Sequence, residues 1–315
     1  MPRAADVELL TAARAGDRRS VARLISAVEE DGADLGPLTE LLVKHASGSY
    51  VVGLTGAPGV GKSTTTSALV AEYRRRGFRV GVLAVDPSSP FSGGALLGDR
   101  IRMAEHSGDD GVYVRSLAAR GHLGGLAHAV PHALRVLDAA GYGVILLETV
   151  GVGQSEVAVA AAADTAVVLL APGMGDGIQA AKAGVLEIAD ILVVNKADRD
   201  GAEAAAREVS AVLARTAADR SWEPPVLRTV ATTGVGIGAL VDAITAHREM
   251  LDLSGDLELR RRRRVAAEIE AVALGLLRRR VLAAAGDRAL DALAAAVVAG
   301  HLDPEAAARR LVGDG

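Results

Sequence analysis

The chain has 315 residues and a formal net charge of −4, and half of its residues are hydrophobic, which fits one domain of about 200 residues with appended pieces. The absence of cysteine excludes disulfides and thiolate-held metals and suits a reducing compartment, and the slightly acidic balance speaks against a nucleic-acid partner. No run approaches the roughly 18–20 apolar residues of a membrane helix, and the acids Asp6 and Glu8 do not suit a signal peptide, so a cytoplasmic protein is expected.

In chain order, residues 1–47 read as an N-terminal helical segment. Leu9, Leu10, Ala13, Val21, Leu24 and Ile25 fall at helical spacings, punctuated by Gly16-Asp17 and Asp31-Gly32. Over residues 48–251, strands near 50–55, 80–86, 112–117, 144–149, 166–171, 191–195 and 226–231 alternate with helical stretches. That alternation predicts an α/β fold with a mostly parallel central sheet covered on both faces.

The first strand, Tyr50–Thr55, runs into Gly56-Ala57-Pro58-Gly59-Val60-Gly61-Lys62-Ser63, and a helix follows to Arg76. This is the G-x-x-x-x-G-K-[ST] loop in its required setting, and it predicts a P-loop NTPase. Glycines tolerate positive φ and let the backbone wrap a polyphosphate. The loop amides then form an anion-binding nest at a helix N-terminus. Lys62 offers a cation to the β- and γ-phosphates and Ser63 a hydroxyl to Mg2+; Thr64 is counted with the loop as a nucleotide contact.

Two later strands end in acids, Asp86 and Glu148, and ligands of open parallel sheets lie beyond the carboxyl ends of strands. Glu148 stands three residues before Gly151, an arrangement in which the acid reaches Mg2+ through water and the glycine N–H senses the γ-phosphate. Many GTPases follow that glycine with a water-orienting glutamine, but Val152 holds the position here. The nearest glutamine, Gln154, is read either as the catalytic water-positioning group or as a structural part of a switch, and slow intrinsic hydrolysis is expected.

The strand 190–194 leads into Asn195-Lys196-Ala197-Asp198, the N-K-x-D pattern of guanine-specific P-loop proteins. Asp198 accepts hydrogen bonds from guanine N1–H and N2–H2, whereas adenine would leave the carboxylate unpaired. Asn195 is expected to tie the base loop to the phosphate loop, and the Lys196 stem to pack along the base.

Residues 252–315 read as a C-terminal helical arm: one long helix and shorter ones after it. Val265, Ile269, Val272 and Leu276 form an apolar stripe that packs either on the chain's own domain or on a second copy. The five arginines from Arg260 to Arg264 share their helix with Glu258, Glu268 and Glu270 and read as a charged face. His122, His128 and His132 have no acidic third ligand beside them and read as ordinary polar or core histidines.

The loop Gly56–Ser63, Asp86-Pro87-Ser88-Ser89-Pro90, Gly98-Asp99-Arg100-Ile101-Arg102-Met103, Glu148-Thr149-Val150-Gly151-Val152-Gly153-Gln154-Ser155-Glu156 and Asn195–Asp198 together resemble the MeaB/ArgK group. Its members are GTPase chaperones of methylmalonyl-CoA mutase, some formerly labelled lysine/arginine/ornithine transport kinases. The likeness runs from about Leu9 to about Leu311. It implies GTP and GDP as substrate and product, Mg2+ as cofactor, and an adenosylcobalamin-dependent mutase as partner. It further implies that Asp86, Asp99 and Glu148 serve the metal and the switches, that the segment Pro172–Lys182 couples to the mutase, and that Thr232-Thr233-Gly234 closes the guanine pocket. It favours a homodimer formed through the arm, with no nucleic-acid or membrane partner. Two rival classes share the architecture: a nickel or cobalt metallochaperone GTPase, usually marked by a Cys-rich or His-rich stretch that this chain lacks, and a small-molecule kinase.

Overall fold

A computed structural model describes residues 2–30, 35–87, 106, 108–119, 129–149, 155–173, 187–216, 221–286 and 288–313. Three helices precede the sheet: α1 (Ala4–Arg14), α2 (Arg18–Glu29) and α3 (Gly36–Lys44). Asp17 caps α2 by accepting from the backbone N–H groups of Arg19 and Ser20, the expected use of an acid at that position. The α2 stripe Val21, Leu24, Ile25 and Val28 is buried.

Seven strands follow: β1 (Tyr50–Thr55), β2 (Val80–Pro87), β3 (Val112–Ala119), β4 (Val144–Thr149), β5 (Thr165–Leu170), β6 (Ile191–Val194) and β7 (Val226–Arg228). They form one sheet in the order β3-β2-β4-β1-β5-β6-β7, and every pairing is parallel. Every residue of β1, β4, β5 and β6 is buried, which is why these strands read as continuous apolar runs.

Helices cover both faces. On one, Val52 and Leu54 of β1 and Leu146 of β4 pack with α4 (Lys62–Arg75) and α8 (Ile237–Ser254). On the other, Ile145 and Leu147 of β4 pack with α5 (Ala129–Ala139) and α6 (Ser155–Ala162), and the N-terminal helices join this same core through Leu10, Leu24 and Leu42. Each such fully buried leucine contributes about 2 kcal/mol. A further helix, α7 (Ala202–Thr216), packs Val209 and Leu213 with Val168 of β5 and Leu192 of β6.

A polar cluster closes the amino ends of the strands. The Tyr50 and Thr165 hydroxyls lie 2.6 Å apart, and the Thr165 hydroxyl lies 2.8 Å from His247 Nδ1 of α8. Asp190, just before β6, accepts from Ala166 N at 2.8 Å and faces His247 Nε2 at 3.4 Å. The indole of Trp222 donates to the Asp190 carbonyl oxygen at 2.7 Å and lies against the His247 ring. Burial raises the Tyr50 phenol above its usual range.

The chain divides into two compact units, through Glu258 and from Leu259 onward. The second holds most of α9 (Asp256–Ala285) together with α10 (Ala289–Val298) and α11 (Pro304–Val312). Asp303 caps α11 by accepting from Glu305 N and Ala306 N. Leu274, Leu277, Val281, Leu290 and Val312 line a cavity of about 420 Å3 within this unit. Among the described residues no helix is long and apolar enough to cross a membrane.

Candidate nucleotide-binding site

The phosphate loop lies at the carboxyl end of β1, flanked by β4 and β5, where the connections leave toward opposite halves of the sheet. This is the switch point at which open α/β sheets bind ligands. Two glycines owe their identity to space as well as φ. Gly56 has φ 141°, and a Cβ there would sit 2.3 Å from the Leu169 carbonyl oxygen of β5. Gly61 has φ 97°, and its Cβ would sit 2.4 Å from Asn195 Nδ2. Lys62, the first residue of α4, is buried, and its Nζ donates to Gly56 O at 2.6 Å and Ala57 O at 3.1 Å. Its charge is thereby held against the loop itself. Ser63 is 9% exposed, and Thr64 is exposed on the first turn of α4.

The N-K-x-D segment follows β6 and is bonded directly to the phosphate loop. Asn195 is buried; its Nδ2 donates to Val60 O at 2.8 Å, and its Oδ1 accepts from Thr229 Oγ1 and Ala231 N, both at 3.1 Å. Lys196 adopts φ 57° and donates from Nζ to Gly59 O at 2.6 Å. Asp198 is exposed at the end of the segment.

Thr232 and Thr233 are exposed in the turn after β7, where the Thr233 hydroxyl donates to Val230 O at 3.2 Å. Of the residues after β7, Thr229 and Ala231 are the ones that bond Asn195, and motif spacing does not single them out. The signal that could have found them is position: they follow the strand paired with β6, level with the Asn195 turn.

Glu148 sits one residue before the end of β4, in register with Leu54 of β1 and Ala84 of β2, and is wholly buried. The Thr66 hydroxyl of α4 donates to its carboxylate. Asp86 is the next-to-last residue of β2, in register with Ala118; its side chain is outside the described set. Asp99, Val152, Gln154, His122, His128 and residues 174–182 also lie outside the described residues. Three buried hydroxyls near the loop, on Thr55, Thr65 and Thr149, have no hydrogen-bond partner among the described residues. The Glu148 carboxylate and the Ser63 hydroxyl, both buried, offer oxygen donors only, and such donors suit Mg2+. Among the described residues, no group of three or more His, Cys, Asp or Glu side chains is placed to hold a metal ion.

Residues 21–286 match the family model described as methylmalonyl-CoA mutase-associated GTPase MeaB. The chain belongs to the MeaB family. A Pyrococcus abyssi protein is 45% identical to this MeaB-family chain over 315 residues, covering 98% of the chain and 97% of the relative. The Escherichia coli K12 protein named GTPase ArgK is 36% identical, covering 78% and 76%. The mouse methylmalonic aciduria type A homolog, a mitochondrial protein by its name, is 41% identical over 68% of the chain and 52% of its own length. Among solved structures, the crystal structure of an LAO/AO transport system kinase superposes with a TM-score of 0.72 at 27% identity, over 99% of the chain and 98% of that structure. The P-loop architecture and the family expected from the motifs are both borne out.

Proposed function

We propose that this MeaB-family chain is a Mg2+-dependent GTPase that converts GTP to GDP and phosphate, and that it regulates an adenosylcobalamin-dependent methylmalonyl-CoA mutase by gating cofactor loading and protection. The observation that carries the nucleotide reading is Asn195, whose one amide joins the phosphate loop to the end of β7. Phosphate grip and base recognition are then one rigid body, with Asp198 exposed at its edge as an acceptor-only group. Guanine offers that acceptor two donors, and adenine offers it none.

In this reading Lys62 and the loop amides hold the β- and γ-phosphates and offset charge as the phosphoryl group leaves. Ser63 and Glu148 would hold Mg2+, with Asp86 and Asp99 assigned to the same task by resemblance. The bound ion supplies charge neutralisation between the phosphates. The mutase half of the proposal rests on the family's description. Val152 after the switch glycine supports slow hydrolysis without a partner, and Gln154 stands as the nearest candidate for orienting water.

Phosphate release from GTP, with and without a methylmalonyl-CoA mutase, tests both halves. The chain alone is expected below about 1 s⁻¹, under the range of ordinary enzymes, and faster with the mutase. Lys62→Ala should abolish release in both conditions. A rate above that bound for the chain alone contradicts the need for a partner, and indifference to the mutase contradicts the regulatory role.

A further inference from the structure

The phosphate-loop signature ends at Ser63, yet the helix continues with Thr64, Thr65 and Thr66. Residues three apart share a helix face, so Ser63 and Thr66 lie on one side of α4. Thr66 is fully buried, and its hydroxyl has two acceptors: the Glu148 carboxylate and Lys62 O at 3.1 Å. A threonine has one proton to give. The contact to Glu148 is the shorter one, and a carboxylate is the stronger acceptor, so the proton goes there. The bond to Lys62 O alone would make Thr66 a local feature of the helix. The bond to Glu148 instead links the helix that carries the loop lysine and serine to the strand that carries the switch acid.

We propose that Thr66 is a positioning residue for the metal site: it pins the buried Glu148 carboxylate to the first turns of α4, on the helix face that carries Ser63. The inference rests on the Mg2+-dependent GTPase reading above. A partner of this kind, behind a metal-holding carboxylate, fixes the acid's orientation, and its loss typically weakens metal affinity roughly ten- to a hundredfold.

The test follows binding of a fluorescent, non-hydrolysable GTP analogue as Mg2+ is titrated, and reads the Mg2+ concentration at half-maximal binding. Thr66→Val should raise that concentration by about ten- to a hundredfold, while Thr66→Ser, which keeps the hydroxyl, should stay close to the unmodified protein. Glu148→Gln and the double variant Glu148→Gln/Thr66→Val should share one half-point, because Thr66 acts only through the acid. If Thr66→Val fails to fold, that second pair decides, since its buried side chain is neutral. A Thr66→Val half-point equal to that of the unmodified protein overturns the proposal, as does a double variant weaker than Glu148→Gln alone. Analogue binding by the unmodified protein that ignores Mg2+ overturns the metal reading underneath and this inference with it.

Discussion

At the scale of single residues, the site depends on close approaches that leave no room for side chains. Gly61 is the case that joins the two halves of the site, because its φ and its distance to the Asn195 amide both exclude a Cβ. Gly61→Ala should either push the Asn195 amide off Val60 O or strain the loop, at a cost of about 1–3 kcal/mol. Because Asn195 also contacts Thr229 and Ala231, the damage should spread to the base side. Nucleotide binding should fall at least about tenfold with the fold intact by circular dichroism; unchanged affinity would mean the loop tolerates the displacement. Gly59, which has open space around its would-be Cβ, is the comparison: only its φ of 80° resists replacement, so Gly59→Asn should be the milder change. The Asn195–Asp198 and Gly56–Ser63 motifs were legible because each is a dense run of residue types dictated by a ligand's chemistry. Thr229, Ala231 and Thr66 were not, because each works through another side chain brought close only by the sheet order.

At the scale of elements, α4 begins at the Gly56–Ser63 loop and ends in an ion cluster. Glu72 bonds Arg75 and Arg76 at 2.7–2.8 Å, and those hydrogen bonds hold its carboxyl down at about 2. A carboxyl depressed in the folded state adds stability above its unfolded value near 4.5, and that stability is lost as the pH falls from there toward about 2. Glu72→Gln should therefore lower the melting temperature at pH 7, with the gap to the unmodified protein closing over that acid window. A gap independent of pH would show that the side chain acts by packing alone. The strands were predicted at nearly their observed bounds, because a sheet buried on both faces demands unbroken apolar runs. The one notable difference is β7 ending at Arg228 instead of near residue 231: Thr229 N still donates to Val194 O of β6, but Ala231 N turns to Asn195 Oδ1 instead of a neighbouring strand.

At the scale of the whole molecule, the alternation of strands and helices was enough to foretell an α/β fold with a helical C-terminal part. It was silent on how the N-terminal helices are used. Leu10, Leu24 and Leu42 share one core with β4 and α5, so those helices belong to the first compact unit. The arm carries the boldest expectation. Within the second unit, no residue of α10 is buried, Ile269 is 63% exposed and Val298 is 89% exposed. Exposed apolar side chains of this number fit a pairing of two arms over a standard interface of about 1,600 Å2. Light scattering should give a dimer for the full chain and a monomer after truncation at Glu258, with GDP binding retained in both. A monomeric full chain at micromolar concentration would show that the stripe is covered in some other way.

The central claim is guanine selectivity delivered by the N-K-x-D turn bonded to the phosphate loop. Titration calorimetry with GDP and with ADP tests it most directly. GDP should bind at least about a hundredfold more tightly than ADP, as expected when a buried or base-facing charge is left unpaired by the wrong base, and Asp198→Asn should remove most of that preference while leaving the fold unchanged. Equal affinities for GDP and ADP in the unmodified protein would contradict the account.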